Sequence, residues 1–371
     1  MKATFSNYSL KNITIATLGS HSALDICRGA KDEGLKTLVV SQKGREKVYS
    51  EHYKTKGNSG CVDECLVLDK FIDILSSPTQ KKLLSKNAIF VPHRSFEVYL
   101  KSDYQAIENN FKVPMFGNKY ILKTEERGRR PNQYDLLDKA NIRYPKHFSD
   151  PKNIDRLCLI KVLEKERGHE RAFFLTDNYE DYLKQVKQKI KNGLFTEKQL
   201  SESVIEEFII GVQVNFNFFY SPLTNRLELL GTDTRRQTNS EGMTKLLAPY
   251  QIEAMKKSVV KYEEAGHIAV TVLESLLEDA YVIGEKFVNA CKYLFPPGII
   301  GPFSLQSIIT AGPPKKEIIV IDVSPRMPGS PGISYTPYTN YLYGKSISVG
   351  RRLAMEVKKA IKLNKLQLLI T

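Results

Sequence analysis

Short apolar runs alternate along the chain with amphipathic and polar stretches, and the opening stretch already shows an order. An apolar run at 13–17 leads into the turn Leu18-Gly19-Ser20-His21, an amphipathic helix from Ser22, Gly34 as its stop and a second apolar run at 36–40. This is the pattern of a βαβ unit, whose crossover makes its two strands parallel. Apolar runs at 65–68 and 88–91, with a helical stretch at 71–75 between them, continue a doubly wound layer that ends near residue 112.

From 113 the texture changes. PMFGNKYIL leads into the charged segment TEERGRRPNQYDLLDKANIRYPKHF, which reads as helix, Pro-marked turn and return to extended chain. LCLIKVLEKERGHERAFFLT reads as two strands around a polar loop, a hairpin over a ligand, with Lys161 closing the first strand. A helix is predicted at 178–193, and the most strand-like stretch of the chain runs from 204 to 220, with Glu206 and Glu207 ahead of its apolar residues. A return strand LELLGTDTRRQTN and a polar loop to 248 follow, then helices at 251–260 and 269–293, punctuated by Gly266. GPFSLQSIIT and KEIIVIDVSPR form a last strand pair joined by the turn AGPPK, and a Gly/Pro loop and a helix at 348–363 close the chain. The predicted fold class combines α/β and α+β: a Rossmann-like layer over 1–112, then two α+β lobes over 113–203 and 204–371.

Composition narrows the function classes. A chain of 371 residues exceeds what one core usually holds, and 42% hydrophobic with 26% charged residues is a globular balance. No run of about 18 apolar residues occurs and the N-terminus carries no apolar leader, so a cytoplasmic protein without a membrane span is expected. The five cysteines have no CxxC spacing and are expected to be reduced thiols. The net charge of +14 raises nucleic acid as a partner, but the lysines and arginines are spread and no nucleic-acid-binding motif is present. A pocket that collects phosphorylated small molecules accounts for the excess equally well. The turn LGSH is not GxGxxG, so no dinucleotide is expected there.

Two strand ends of the first layer, LGSH and PHRS, bring His21 and Ser95 to one crevice, the place where doubly wound layers bind ligands. On the last strand pair, Gln306 and Asp322 can aim an oxygen each at a shared point. Such a pair suits Mg²⁺, which takes few protein oxygens and shares substrate phosphates. Lys161, at the end of its strand, can direct its ammonium to a phosphate.

In this order the segments resemble the ATP-grasp superfamily. More narrowly, ATLGSHSAL, VPHRSFEVYL, PMFGNKYIL, EEFIIGVQVNFNFFYSPL, LELLGTD, ESLL and PPGIIGPFSLQS resemble the archaeal formate-dependent ligases that formylate 5-aminoimidazole-4-carboxamide ribonucleotide (AICAR), over residues 12–363. The resemblance implies a Rossmann-like pre-ATP-grasp domain, a two-lobed ATP-grasp fold, and conversion of ATP, formate and AICAR to ADP, phosphate and FAICAR through formyl phosphate, in purine biosynthesis. It implies that His21, Ser95 and Asn239 contact AICAR. Lys123, Lys161, Glu206, Glu207, Phe208 and Ile209 would serve ATP, and Gln306 and Asp322 would hold Mg²⁺ or Mn²⁺. Lys161, Arg235 and Arg236 would supply charge for phosphoryl transfer, and a homo-oligomer is implied. The chain departs from the family pattern at Arg94, where a glycine is expected, and in the loop Arg326-Met327-Pro328-Gly329-Ser330-Pro331-Gly332, whose prolines remove amide donors. These departures leave open a paralogue with another acceptor amine and a nucleotide-binding regulator without turnover.

Overall fold

A computed structural model describes residues 8–162, 173–201, 203–258, 264–312 and 314–371. The polar loop expected to cover a ligand after Lys161 lies outside the described residues. The strands, in chain order, are β1 (Thr14–Leu18), β2 (Lys36–Gln42), β3 (Glu64–Leu68), β4 (Ala88–Val91), β5 (His147–Phe148), β6 (Cys158–Lys161), β7 (Phe173–Thr176), β8 (Val204–Glu207), β9 (Val212–Ser221), β10 (Arg226–Gln237), β11 (Glu264–Val270), β12 (Gly301–Ile309) and β13 (Ile318–Ser324).

Among the described residues they form three sheets. The first, ordered β3-β2-β1-β4, is parallel throughout, as the βαβ pattern requires. β1 and β4 are wholly buried, which explains why they read as unbroken apolar runs. The chain's end returns to this layer. Thr371 exchanges backbone hydrogen bonds with Met115, and helix Val349–Lys362 lies on helix Ala23–Asp32. That approach is close because glycines meet: a Cβ at Gly29 would lie 2.0 Å from the Arg351 nitrogen, and one at Gly350 2.2 Å from the Asp25 oxygen.

The second sheet, β5-β8-β6-β7, is antiparallel, with helix Tyr179–Lys191 on one face. Cys158, Ile160, Phe174 and Ile205 are buried with Tyr182 and Val186 of that helix, so by alternation Lys161, Phe173, Leu175 and Glu206 point to the open face. The third sheet, β11-β10-β9-β12-β13, is also antiparallel. Val214, Phe216 and Phe218 of β9 and Phe303 and Leu305 of β12 are buried with Phe287 and Cys291 of helix Leu277–Leu294. The intervening positions, Asn215 and Asn217 of β9 and Ser304 and Gln306 of β12, face the other way, toward the first layer.

Three expectations are corrected. The stretch 204–220 is two strands in different sheets: β8 belongs to the second and β9 to the third, and the connection 208–211 passes between them. Gly211 marks the break, since a Cβ there would stand 2.4 Å from the Ile309 carbonyl oxygen. The helix predicted from 269 begins at Leu277; Glu264–Val270 is a strand, as its β-branched and alternating residues favour, with Gly266 at φ 142°. The polar loop before 248 contains a short helix, Thr238–Thr244. Among the described residues, no helix is long and apolar enough to cross a membrane.

Candidate active site

The strand ends of the first layer, the polar face of the third sheet and the loop after β13 enclose a cavity of about 360 Å³. His21 enters it from the turn after β1, at φ 45°. Its Nδ1 lies 3.1 Å from Ser22 Oγ, and that hydroxyl donates to the Pro328 carbonyl at 2.7 Å. The serine proton is thus committed, so Nδ1–H must be the donor and Nε2 the acceptor. Burial, aided by the Arg326 charge, lowers the His21 pKa to about 4, which keeps the ring neutral. His93 supports this turn from beneath: Nε2–H donates to the Leu18 carbonyl at 2.9 Å, and the two imidazoles stack with centroids 6.0 Å apart.

The third sheet supplies a second group. Asp233, fully buried, accepts from Asn215 Nδ2 at 2.9 Å, Asn217 Nδ2 at 2.6 Å and His267 Nδ1 at 2.5 Å. The other nitrogen of His267 donates to Glu264 at 3.0 Å. Burial opposes the charged imidazole, but the hydrogen bonds to Asp233 and Glu264 and their charges prevail and raise the His267 pKa to about 9. The cavity therefore holds one neutral and one protonated histidine at neutral pH. Glu264 also pairs with Arg235 at 3.1 Å and comes within 4.0 Å of His21 Nε2.

The third group is the predicted oxygen pair. Gln306 and Asp322 are direct cross-strand partners, with Gln306 Nε2 3.1 Å from Asp322 Oδ2. Arg235 donates to Gln306 Oε1 at 2.9 Å and Arg127 to Asp322 Oδ1 at 3.2 Å. An amide oxygen and a carboxylate, side by side and both now engaged by arginine, are a hard-oxygen donor set that fits a divalent cation sharing phosphates. Arg127 joins this pair to the open face of the second sheet, because its charge is felt by His147, which stands across from Glu206 in the β5–β8 register.

The remaining predicted residues divide. Lys161 and Glu206 pair on that open face. Glu207 points away and is held by Arg143 at 2.5 Å, Arg156 at 3.4 Å and the Lys146 amide at 2.9 Å. Phe208 and Ile209 lie on the connection between the second and third sheets. Lys123 is not brought to the cavity: it pairs with Glu108 at 3.0 Å. Arg236 is likewise turned out, bound to Glu241 at 2.7 Å, because adjacent strand residues face opposite sides and Arg235 takes the inner one. Ser95 contacts Ser20 Oγ at 3.0 Å beside the His21 turn. Asn239 lies on the helix Thr238–Thr244, with its side chain outside the described residues. The prediction did not single out Asn215, Asn217, Asp233, Glu264, His267 or Arg127. The available signal was Asn-x-Asn within the apolar run of β9, two polar residues at strand period where core is expected.

Two family models match, one described as a domain of unknown function (DUF1297) over residues 181–371 and one as a protein of unknown function (DUF1246) over residues 15–148. The 5-formaminoimidazole-4-carboxamide-1-(beta)-D-ribofuranosyl 5'-monophosphate synthetase of Methanopyrus kandleri is 37% identical over 96% of this chain and 94% of its own. The protein of the same name in Methanocaldococcus jannaschii is 36% identical over 99% and 97%. The chain belongs to this synthetase family. A solved member, an IMP biosynthesis protein PurP from Thermococcus kodakaraensis, matches with a TM-score of 0.71 at 29% identity over 96% of this chain and all of its own. Phosphoribosylglycinamide synthetase from Anaerococcus prevotii matches with a TM-score of 0.56 at 14% identity, over 95% and 75%. At that distance only the fold is shared, and it is the ATP-grasp fold.

Proposed function

We propose that this protein formylates AICAR to FAICAR with ATP and formate, releasing ADP and phosphate. The observation that carries this reading is the single polar cavity in which His21, from the first layer, meets Arg235, Gln306 and Asp322 of the grasp sheet. An acceptor and a phosphoryl donor can therefore share one enclosed space, as a two-step acyl transfer needs.

The nucleotide has its place between the open face of the second sheet and the third sheet. Phe173 and Leu175, both more than two-fifths exposed there, offer an apolar bed, and the Lys161–Glu206 pair sits among them. Gln306 and Asp322 would hold a divalent cation, Mg²⁺ by our reading, which when bound neutralises phosphate oxygens during transfer. A formate oxygen attacks the γ-phosphorus and the bond to ADP breaks. Arg235 and Arg127, already at the oxygen pair, add charge where the equatorial oxygens gain it. The acceptor's amine nitrogen then attacks the formyl carbon, the carbon–oxygen bond to phosphate breaks, and the amine proton leaves with the phosphate. Because phosphate accepts that proton near neutral pH, no protein base is required. His21 contributes a neutral acceptor at Nε2 that orients an N–H or O–H of the acceptor molecule.

The test is direct: purified protein with ATP, Mg²⁺, formate and AICAR should yield ADP and FAICAR in equal amounts. ADP that forms only with a different amine would overturn the acceptor, and absence of turnover with intact ATP binding would overturn catalysis.

A further inference from the structure

Beside the cavity, β11 breaks the alternation that a strand imposes. Residues three apart on a strand point to opposite faces, yet Glu264 and His267 both line the cavity and bond each other at 3.0 Å. A bulge reconciles the two. Arg235 stands opposite His267 and Arg236 opposite Gly266, and then the register slips, so that Gln237 meets Glu264 and Ala265 is the extra residue. The slip returns Glu264 to the face that Arg235 and His267 share. Gly266 allows it with φ 142°, where any other residue is strained. A Cβ at 266 would meet nothing within 4 Å, so glycine is needed here for its conformation and not for space.

The consequence is a row of alternating charge that runs from the sheet interior to the oxygen pair. Buried Asp233 accepts from His267 Nδ1, and the imidazolium donates through Nε2 to Glu264 Oε1. Glu264 Oε2 stands 3.1 Å from Arg235 Nε, and Arg235 Nη2 donates to Gln306 Oε1 at 2.9 Å. Each Glu264 oxygen thus has its own cation. His21 Nε2, 4.0 Å from Oε1, bears no proton to give it, so the carboxylate is engaged by His267 and Arg235 alone. The Arg235 Nε–H is not aligned for a hydrogen bond, and Glu264 therefore acts on the guanidinium through charge. Nη1 of Arg235 makes no hydrogen bond among the described residues and remains for a phosphoryl oxygen.

We propose that Glu264, pinned by His267, is a positioning residue for phosphoryl transfer: it holds Arg235 beside the Gln306–Asp322 pair with Nη1 toward the transferring group, and the Gly266 bulge brings it there. This rests on the reaction proposed above. Without the carboxylate, Arg235 keeps one hydrogen bond to a neutral amide oxygen, and a long side chain held at one point samples many rotamers. Few of those place its charge where the equatorial oxygens need it.

Glu264→Gln tests this, because it keeps the size of a side chain that is 36% exposed and removes only the charge. Misplacement of one cation predicts kcat lowered about 10- to 50-fold, with the KM values for ATP and AICAR within threefold. Gly266→Ala, which strains the bulge, should lower kcat in the same way. In an Arg235→Ala background both substitutions should change kcat less than twofold. Equal losses in the two backgrounds, or a raised AICAR KM with kcat unchanged, overturn the proposal. Should the unmodified protein not formylate AICAR, titration with ADP, Mg²⁺ and aluminium fluoride, a mimic of the transferring phosphoryl group, decides the positioning separately. Weakening by Glu264→Gln that disappears in the Arg235→Ala background supports it, and absence of binding, or binding indifferent to Glu264→Gln, overturns it.

Discussion

Gly329→Ala is expected to disable the acceptor site without touching any group that contacts the nucleotide. A Cβ at 329 would lie 1.9 Å from Cε1 and 2.4 Å from Nε2 of His21. One partner must move. The loop is stiffened by Pro328 and Pro331 and tied to Ser22 through the Pro328 carbonyl, whereas the imidazole is the far end of a side chain, so the ring yields. Displacement breaks the Nδ1–H bond to Ser22, worth about 1 kcal/mol, and withdraws the Nε2 acceptor from the substrate, worth about 1–2 kcal/mol more. The internal bond is lost with and without substrate, so the substrate contact alone lowers kcat/KM for AICAR, roughly 5- to 30-fold. Melting temperature should change little, because the His21 side chain is 24% exposed and carries little of the core. The decisive assay is a double-mutant cycle with His21→Ala, following FAICAR formation at saturating ATP and formate. Once the imidazole is gone the methyl group has nothing to displace, so Gly329→Ala should cost almost nothing in that background. Equal losses in both backgrounds would show that the substitution acts through the loop itself and refute the steric reasoning.

Other consequences follow from the same geometry. Asp322→Ala should lower kcat at least about 100-fold by removing the only carboxylate of the oxygen pair; a variant with normal turnover and unchanged Mg²⁺ dependence would take Asp322 out of the site. Arg235→Ala should cost about 100-fold in kcat/KM for ATP, whereas Arg236→Ala, outward and bound to Glu241, should stay within twofold; steady-state kinetics of the pair would expose a reversed assignment. The His267 pKa is raised above its unfolded value, so its stabilisation, up to about 3 kcal/mol, is full below pH 6.5 and lost as pH rises through about 9. Thermal melts from pH 6 to 10 should show that loss, and His267→Asn should flatten it; an unchanged slope would mean that the Asp233–His267 pair does not carry the linkage.

What the sequence disclosed, and what it hid, follows from how regular the backbone is around each group. Gln306 and Asp322 were legible because they sit on strands whose alternation and pairing fix their direction, and the structure sets them side by side as cross-strand partners. The same rule could have separated Arg235 from Arg236 and Glu206 from Glu207, since neighbours on a strand cannot share a face. His267 was not legible, because its segment reads as a helix start, and only pairing with β10 holds it as a strand and brings it to Asp233. The direction of Lys123 was not legible for a related reason: it lies in a 3-10 helix, Lys119–Glu125, where no strand period assigns one, and it pairs with Glu108. Arg94, Arg326 and Ser330 come from a helix start and an irregular loop more than two hundred residues apart in the chain, and no local pattern announces that they line one cavity. On the proposed reading, Arg235, Gln306 and Asp322 of the phosphoryl-transfer side stand on strands, whereas His21 of the acceptor side stands on a turn. On that reading, an ATP-grasp ligase can therefore change its acceptor by substitutions in turns and loops such as 328–331 while the oxygen pair on the strands stays fixed.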